Sequence, residues 1–389
     1  MKDITISNNI IYIGADDKDI DLFENQYIVP NGISYNSYVI IDEKIAIMDT
    51  IDKRKTDEWL NNLEKALNGR KPDYLVISHL EPDHGGNIGT VIKKYPNIKL
   101  VGNSKIFAFL PQFFDIEDLE SRKVEIKEGD ILELGRHKLH FVMAPMVHWP
   151  EVMMEYEETE KILFSADGFG KFGSLDTDEE WDCEARRYYF NIVGKYGAQV
   201  QSVLNKAKQL DIKMICPLHG PILKENLEHY IEKYDIWSKY QTETEGVYIA
   251  CASIHGNTLK ACEKLKEILE KKGAEKVVLA DLSREDWAEA VEDSFKYGKI
   301  VFASATYNME IFTPMRELLL NLKEKNYQNK KVAIIENGTW APNSAKCMKE
   351  IINTMKNIEI VEPTVTIKST LKQENIEQLN ILAETLLKN

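Results

Sequence analysis

The chain has few cysteines and no pattern in them. Cys183, Cys216, Cys251, Cys262 and Cys347 are an odd number at unrelated spacings, with no CxxC pair. That excludes a disulfide framework and fits reduced thiols. Blocks of lysine and arginine are also missing. With 49 basic residues against 63 acidic ones the net charge is −14, so neither nucleic acid nor an anionic membrane is an expected partner. No run approaches the roughly 18 apolar residues of a membrane helix, and Met1-Lys2-Asp3-Ile4 opens no signal-peptide apolar stretch. Internal repeats and low-complexity segments are absent. What remains is a soluble, acidic, cytoplasmic protein of 389 residues, long enough for two domains with separate cores.

The rhythm of the chain changes near residue 243. Before it come short β-branched runs at Ile10–Ile13, Tyr38–Ile41, Ile45–Met48, Tyr74–Ile77, Ile98–Val101, Lys138–Met143, Ile162–Ser165 and Lys213–Cys216, interrupted by helical stretches such as Thr56–Leu67 and Gln199–Gln209. This predicts a layered arrangement around two sheets. Ser238 to Gly246 is polar, buries little, and reads as a linker. Beyond it strands alternate with helices. Strands are expected at Val247–Ala252, Val277–Ala280, Ile300–Ala303, Val332–Ile335 and Glu359–Ile367; helices are expected at Thr258–Lys272, Arg284–Lys296, Pro314–Glu324, Ser344–Lys356 and Gln373–Leu387. Such alternation predicts a doubly wound parallel sheet that binds its ligand at the carboxyl ends of the strands. The expected division is 1–242 and 246–389.

His79-Leu80-Glu81-Pro82-Asp83-His84 directly follows an apolar strand and packs four potential metal ligands into six residues. Two imidazoles and two carboxylates so close together are costly to bury unless a cation holds them. Three more ligand types stand just beyond other apolar strands: His148, Asp167 and His219. Seven ligands are too many for one tetrahedral ion but suit two metals, with Asp167 able to bridge through its two oxygens. A thiolate-free set of imidazoles and carboxylates suits iron or manganese, with zinc open on ligand type alone. Glu81 adds negative charge, which favours the higher oxidation state of a redox metal and points to iron. Gly85 and Gly86 let the loop turn tightly. Singly, a histidine after a strand is ordinarily just hydrogen-bonded, and Asp167 could cap a helix; jointly the seven are read as a metal site. His137, His140 and His229 are read as structural.

Ser253-Ile254-His255-Gly256-Asn257-Thr258 joins the first strand and helix of the second half. Hydroxyls, an amide and backbone N–H groups at a helix start make a phosphate cradle. The loop lacks both GxGxxG and a Walker lysine, so a monophosphate such as that of FMN fits better than a dinucleotide. An ordinary helix cap is the alternative. Two further strand-end loops, Ser304-Ala305-Thr306-Tyr307-Asn308 and Asn337-Gly338-Thr339-Trp340, could hold an isoalloxazine ring, Trp340 otherwise being a surface aromatic.

With these residues in view the chain resembles the flavodiiron (A-type flavoprotein) family over essentially its whole length. The resemblance rests on HxExDH with distant His, Asp and His, and on Ser165-Ala166-Asp167-Gly168-Phe169-Gly170 and Leu218-His219-Gly220-Pro221. It implies an α/β protein: a metallo-β-lactamase-like αββα sandwich followed by a flavodoxin-like doubly wound parallel sheet. It also implies two non-haem irons. One is held by His79, Glu81 and His148, the other by Asp83, His84 and His219, with Asp167 between them; some relatives leave the residue matching His84 uncoordinated. His255 departs from the Tyr or Thr expected in the phosphate loop. The expected activity is reduction of dioxygen to water, of nitric oxide to nitrous oxide, or both, with FMN feeding electrons to the diiron site. No rubredoxin-like CxxC module or flavin reductase is seen, so the minimal two-domain class is expected. A separate donor, rubredoxin, is its implied partner, and a head-to-tail homodimer or dimer of dimers its implied assembly. Tyr196 is a candidate proton or hydrogen-bond donor near the metals, with a packing role as the alternative. The rival readings are a dizinc hydrolase of the same fold and a flavodoxin-like carrier on an inert scaffold.

Overall fold

The structure is a computed structural model that describes residue 4 and residues 6 to 388. The N-terminal stretch Met1-Lys2-Asp3 and the outer ends of the two expected domains therefore lie outside the described residues. Packing divides the chain into two compact units. The first takes the chain up to Tyr189 together with Ala198–Asp235; the second takes Phe190–Gly197 and everything from Ile236 onward.

The first unit is an αββα sandwich around two sheets. Six strands run in the order Ile10–Tyr12, Tyr38–Ile41, Ile45–Met48, Tyr74–Val76, Lys99–Gly102, Lys123–Glu125. Five more run in the order Ile131–Glu133, Lys138–Met143, Met153–Glu157, Ile162–Phe164, Met214–Cys216. The helix Thr56–Leu67 shows why these segments hold: it buries Trp59, Leu63 and Leu67 at four-residue spacing and ends on Asn68 in the left-handed conformation. Met153–Glu157 is a strand that periodicity misses. Its sequence, MMEYE, reads as half polar, yet all five residues are buried.

The second unit is one parallel sheet in the order Val277–Asp281, Thr244–Ala252, Tyr297–Tyr307, Gln328–Asn337, Lys356–Ile360, with Val365–Ile367 pairing beside Gln328–Asn337 and Glu310–Ile311 pairing antiparallel to Tyr297–Tyr307. In chain order this is 2-1-3-4-5, the flavodoxin arrangement. The single strand expected over 359–367 is two, because Pro363 has no N–H for the ladder. The polar stretch from 238 is not a slack linker either. Tyr240 is buried: its hydroxyl donates to Gly194 O at 2.7 Å and accepts from Gly197 N, and Trp237 Nε1 donates to Glu243 at 2.6 Å. Amphipathic Tyr and Trp side chains buried their rings where the polar neighbours suggested exposure.

Candidate metal centre and flavin cavity

The carboxyl-end loops of the first unit converge on one cluster. His79 follows Tyr74–Val76, and Asp83 and His84 lie in the single turn Pro82–Gly85. That turn closes tightly: a Cβ on Gly86 would come within 2.5 Å of Pro82 O, and one on Gly85 within 2.9 Å of Leu80 O. His148 stands between Lys138–Met143 and Met153–Glu157, Asp167 follows Ile162–Phe164, and His219 follows Met214–Cys216.

Two ligand sets result. His79, Glu81, His148 and Asp167 form one, and Asp83, His84 and His219 the other, the ligand atoms of each lying within 4.8 Å of one another. Asp167 faces both. Its Oδ2 is 3.4 Å from His79 Nε2 and 3.4 Å from His148 Nε2. Its Oδ1 is 3.1 Å from His84 Nε2 and 3.8 Å from His219 Nε2. Glu81 Oε2 lies 3.2 Å from His79 Nε2 and 3.0 Å from His148 Nε2; Asp83 Oδ2 lies 3.4 Å from His84 Nε2 and 3.2 Å from His219 Nε2. Ligands bound at about 2.0–2.2 Å to a shared ion stand roughly 3 to 3.5 Å apart, so these spacings fit two ions. Both oxygens of Asp83, Oδ2 of Asp167 and Nε2 of His219 are buried without a hydrogen-bond partner. Such orphaned lone pairs are costly unless a cation takes them.

The imidazoles are oriented from behind. His79 Nδ1 donates to Glu151 at 2.8 Å, and His219 Nδ1 donates to Ser34 O at 2.7 Å, leaving Nε2 of each to face the cluster. Asn36 brackets the His219 loop by donating to Pro217 O and Gly220 O, both at 2.8 Å, while Gly220 N donates to Ser34 Oγ at 2.7 Å. Sequence reasoning did not single out Glu151, Ser34 or Asn36. The only signal was a polar residue run, Ser34-Tyr35-Asn36-Ser37, within buried strands.

The carboxylates of the cluster favour positive charge on its imidazoles. Burial alone would lower the His79 pKa, but Glu151, Glu81 and Asp167 raise it well above the usual range; His148, with Asp167 and Glu81 outweighing burial, is pushed up to about 9. Burial would raise Asp167, yet His84, His148 and His79 hold it well below an ordinary carboxylate. Protons and metal ions compete for such a site. A cavity of about 640 Å³ opens over it between Glu81, Asp83, Tyr35 and the turn at Glu24. At its rim Glu24, exposed on one side, is pushed up to about 7 by partial desolvation and then by the Glu81 charge.

Two buried tyrosines meet this cluster, Tyr188 and Tyr35, with rings 5.7 and 5.9 Å from that of His219. Tyr196 falls in the other unit, half-buried, with Lys195 Nζ over its ring. His137 pairs with Asp42, His140 with Glu158 and His229 with Asp182, each at 2.6 Å.

In the second unit the strand-end loops line a cavity of about 250 Å³. Ser253, Ile254, His255, Asn257, Thr258, Ala305, Thr306, Asn308, Asn337, Gly338, Thr339 and Trp340 face it, joined by Met309, Ala341 and Ser369. Gly256, at φ +81, sets the start of the helix Asn257–Lys271, and Ser253 Oγ is buried without a partner, as a phosphate acceptor would leave it. Ser304 and Tyr307 are not brought in. Ser304 is buried and receives Phe312 N, while Tyr307 packs on Phe312. Thr306 lines the wall but spends its oxygen on Asn343 N and Ser344 N, capping the next helix. Ser369 was missed because its strand was read as continuous; it exchanges hydrogen bonds with Asn337 at 3.0 and 3.1 Å.

Comparison with known proteins gives this pairing of units a name. The family described as "ODP family beta lactamase" matches residues 33–220. A nitric oxide reductase of Moorella thermoacetica is 28% identical over 96% of this chain and 96% of its own length. The solved rubredoxin:oxygen oxidoreductase of Desulfovibrio gigas is 26% identical and superposes with a TM-score of 0.91 over 98% of this chain and 97% of that one. The chain is similar over nearly its whole length to flavodiiron proteins. The solved flavodiiron protein of Giardia intestinalis, 23% identical, shares the fold at a TM-score of 0.91, covering 100% of this chain and 97% of that one. In this chain the two ligand sets lie in the first unit and the strand-end cavity in the second.

Proposed function

We propose that this chain is a flavodiiron protein that reduces dioxygen to water, nitric oxide to nitrous oxide, or both, at a non-haem diiron centre fed with electrons by FMN. One observation carries the reading: a buried carboxylate, Asp167, turns its two oxygens to two separate ligand sets. In this reading His79, Glu81 and His148 hold one iron, Asp83, His84 and His219 the other, and Asp167 spans them. When bound, the irons supply open coordination positions and electrons, and FMN relays electrons singly from a donor. The chain's own part is to hold the geometry. Glu151 and the Ser34 carbonyl fix the outer nitrogens of His79 and His219, and the loop Ser253–Thr258 and helix Asn257–Lys271 receive the flavin phosphate. Tyr188, enclosed against His219, keeps bulk water from that side.

The donor in this reading is a separate protein of the rubredoxin type, and the assembly a head-to-tail homodimer, which the resemblance supports. Among the described residues no helix is long and apolar enough to cross a membrane, in keeping with a cytoplasmic location. The dizinc hydrolase reading is less well supported: Glu81 adds charge that hydrolysis does not need, and a flavin cavity has no part in it. The deciding experiment loads the chain with iron and FMN, reduces it anaerobically through rubredoxin, and follows oxygen and nitric oxide with separate electrodes. Consumption of neither gas, or a chain that keeps zinc and no flavin, refutes the reading.

A further inference from the structure

The cavity over the metal cluster carries charge that neither a neutral gas nor electron transfer needs. Five carboxyl side chains line it, Asp21, Glu24, Asp52, Glu81 and Asp83, against one basic side chain, Arg54. The Arg54 charge is already engaged: its Nε donates at 2.5 Å to Oδ2 of Asp17, whose side chain is fully buried. No lysine or histidine lines the cavity, so its wall is negative. The carboxyls are also graded in depth. Asp21 and Glu24 are exposed at the rim, Asp52 is half-buried, and Asp83 at the floor is 8% exposed. Both oxygens of Asp83 are buried without a hydrogen-bond partner, surroundings that suit a cation better than a donor.

Two of these carboxylates have no structural use for their charge. Asp21 holds its turn through the backbone, its carbonyl accepting from Val29 N at 3.2 Å, and its carboxylate makes no hydrogen bond or ion pair among the described residues. Asp52 Oδ1 accepts from Arg54 N at 2.8 Å, a bond that an amide oxygen would accept equally well. Neither belongs to a ligand set. We propose that this cavity is the entry route for the divalent ions of the cluster, with Asp21 and Asp52 steering a hydrated cation from the rim towards Glu81 and Asp83. The inference rests on the two-metal reading of the cluster. A clustered charge of one sign in a cleft raises the local concentration of ions of the other sign and speeds their arrival. Charges at a rim act on association and its salt dependence more than on release. Dioxygen and nitric oxide bring no charge, so the same wall neither draws nor repels them.

The test mixes cobalt(II) alone with the full chain stripped of metal, because the visible absorption of cobalt reports coordination as it happens. Uptake by the native chain should slow as salt rises from about 0.01 M to about 1 M, over which the screening length shrinks from about 30 Å to about 3 Å. Asp21→Asn combined with Asp52→Asn should slow uptake at low salt on the order of 3- to 10-fold, the low end of electrostatic steering, and flatten the salt dependence. Asp21→Glu should keep the native rate, and Asp21→Lys should be slower than Asp21→Asn. Release to a chelator and the amount bound at saturation should stay native in every variant, which a loosened or misfolded site would not allow. Equal uptake by the native and doubly substituted chains at low salt, or slower uptake matched by equally faster release, overturns the proposal. A native chain that takes up no cobalt defeats the two-metal reading and the steering role with it. One that takes up two ions at a rate indifferent to salt defeats the steering role alone.

Discussion

Glu151 offers the sharpest test of how the centre is held. Its side chain is fully buried; Oε1 accepts from His79 Nδ1 at 2.8 Å and from Leu80 N at 3.1 Å. Glu151→Ala removes a charge-assisted bond worth about 1.5–3 kcal/mol and strands a buried N–H. The effect on metal should be similar in size: losing an outer partner of a ligating histidine lowers affinity about 10- to 100-fold, which is about 1.4–2.7 kcal/mol at 1.36 kcal/mol per decade. It should also be confined to one ion, because Glu151 touches His79 and makes no described bond to Asp83, His84 or His219. Iron release to a coloured chelator should therefore turn biphasic, one ion leaving about 10- to 100-fold more readily and the other as before. Glu151→Gln, which still accepts from His79 but lacks the charge, should fall between. Unchanged release curves in Glu151→Ala would refute the orienting role, and simultaneous weakening of both ions would refute the division into two sets.

The remaining predictions concern both units. Asp167→Ala should lower iron content below one per chain while Glu81→Ala leaves close to one, by elemental analysis after gel filtration, because Asp167 faces both ligand sets and Glu81 only one. Asn337→Ala removes two hydrogen bonds to Ser369 at about 1 kcal/mol each. FMN affinity, read by quenching of flavin fluorescence, should fall on the order of 10-fold. Lys330, buried and donating to Phe295 O at 2.6 Å and Tyr297 O at 2.8 Å, has its pKa pulled down by burial to about 7. The unfolded chain then binds the extra proton between about 7 and its ordinary value of about 10.4, so the native chain gains stability as pH rises through that window. Lys330→Met should remove that slope in thermal melts of the second unit, and an unchanged slope would mean that the lysine is charged when folded.

How much of this the sequence discloses depends on range. His79 to His84 was legible because one strand and one turn carry all four ligands, and His148, Asp167 and His219 each follow an apolar run that ends at the same rim. The alternating second half was legible for the same local reason. Glu151 was not, since nothing near it in sequence says that it meets His79, 72 residues away. Ser34 and Asn36 were hidden likewise, being 185 and 181 residues from the His219 loop groups that they hold. Tyr188 and Tyr196 lie eight positions apart in one helical stretch, and only packing tells which of the two meets His219. The strand Met153–Glu157 was disguised by the very carboxylates that matter, Glu155 and Glu157, both of which it buries.

Charge connects these findings. The two ligand sets bring three carboxylates, Glu81, Asp83 and Asp167, against the four positive charges of two divalent ions, which leaves one positive charge in excess. Glu151, hydrogen-bonded to a ligand imidazole, cancels it, and Asp49, accepting the backbone N–H groups of Ser78 and His79, carries the balance one unit negative. A centre so nearly balanced suits small neutral substrates, which bring no charge to be compensated. Burial, and then the Asp49 charge, hold the enclosed Glu155 carboxyl well above its ordinary range, and ionising it would make the balance two units negative. Negative charge near the ions favours their oxidised state, so ionising Glu155 should lower the diiron midpoint potential. Redox titration of the native chain and of Glu155→Gln from neutral to alkaline pH measures this. The native potential should acquire an additional downward slope as Glu155 gives up its proton, and the glutamine variant should lack it. Parallel curves over the whole range would show that the charge behind His79 is fixed by some other group.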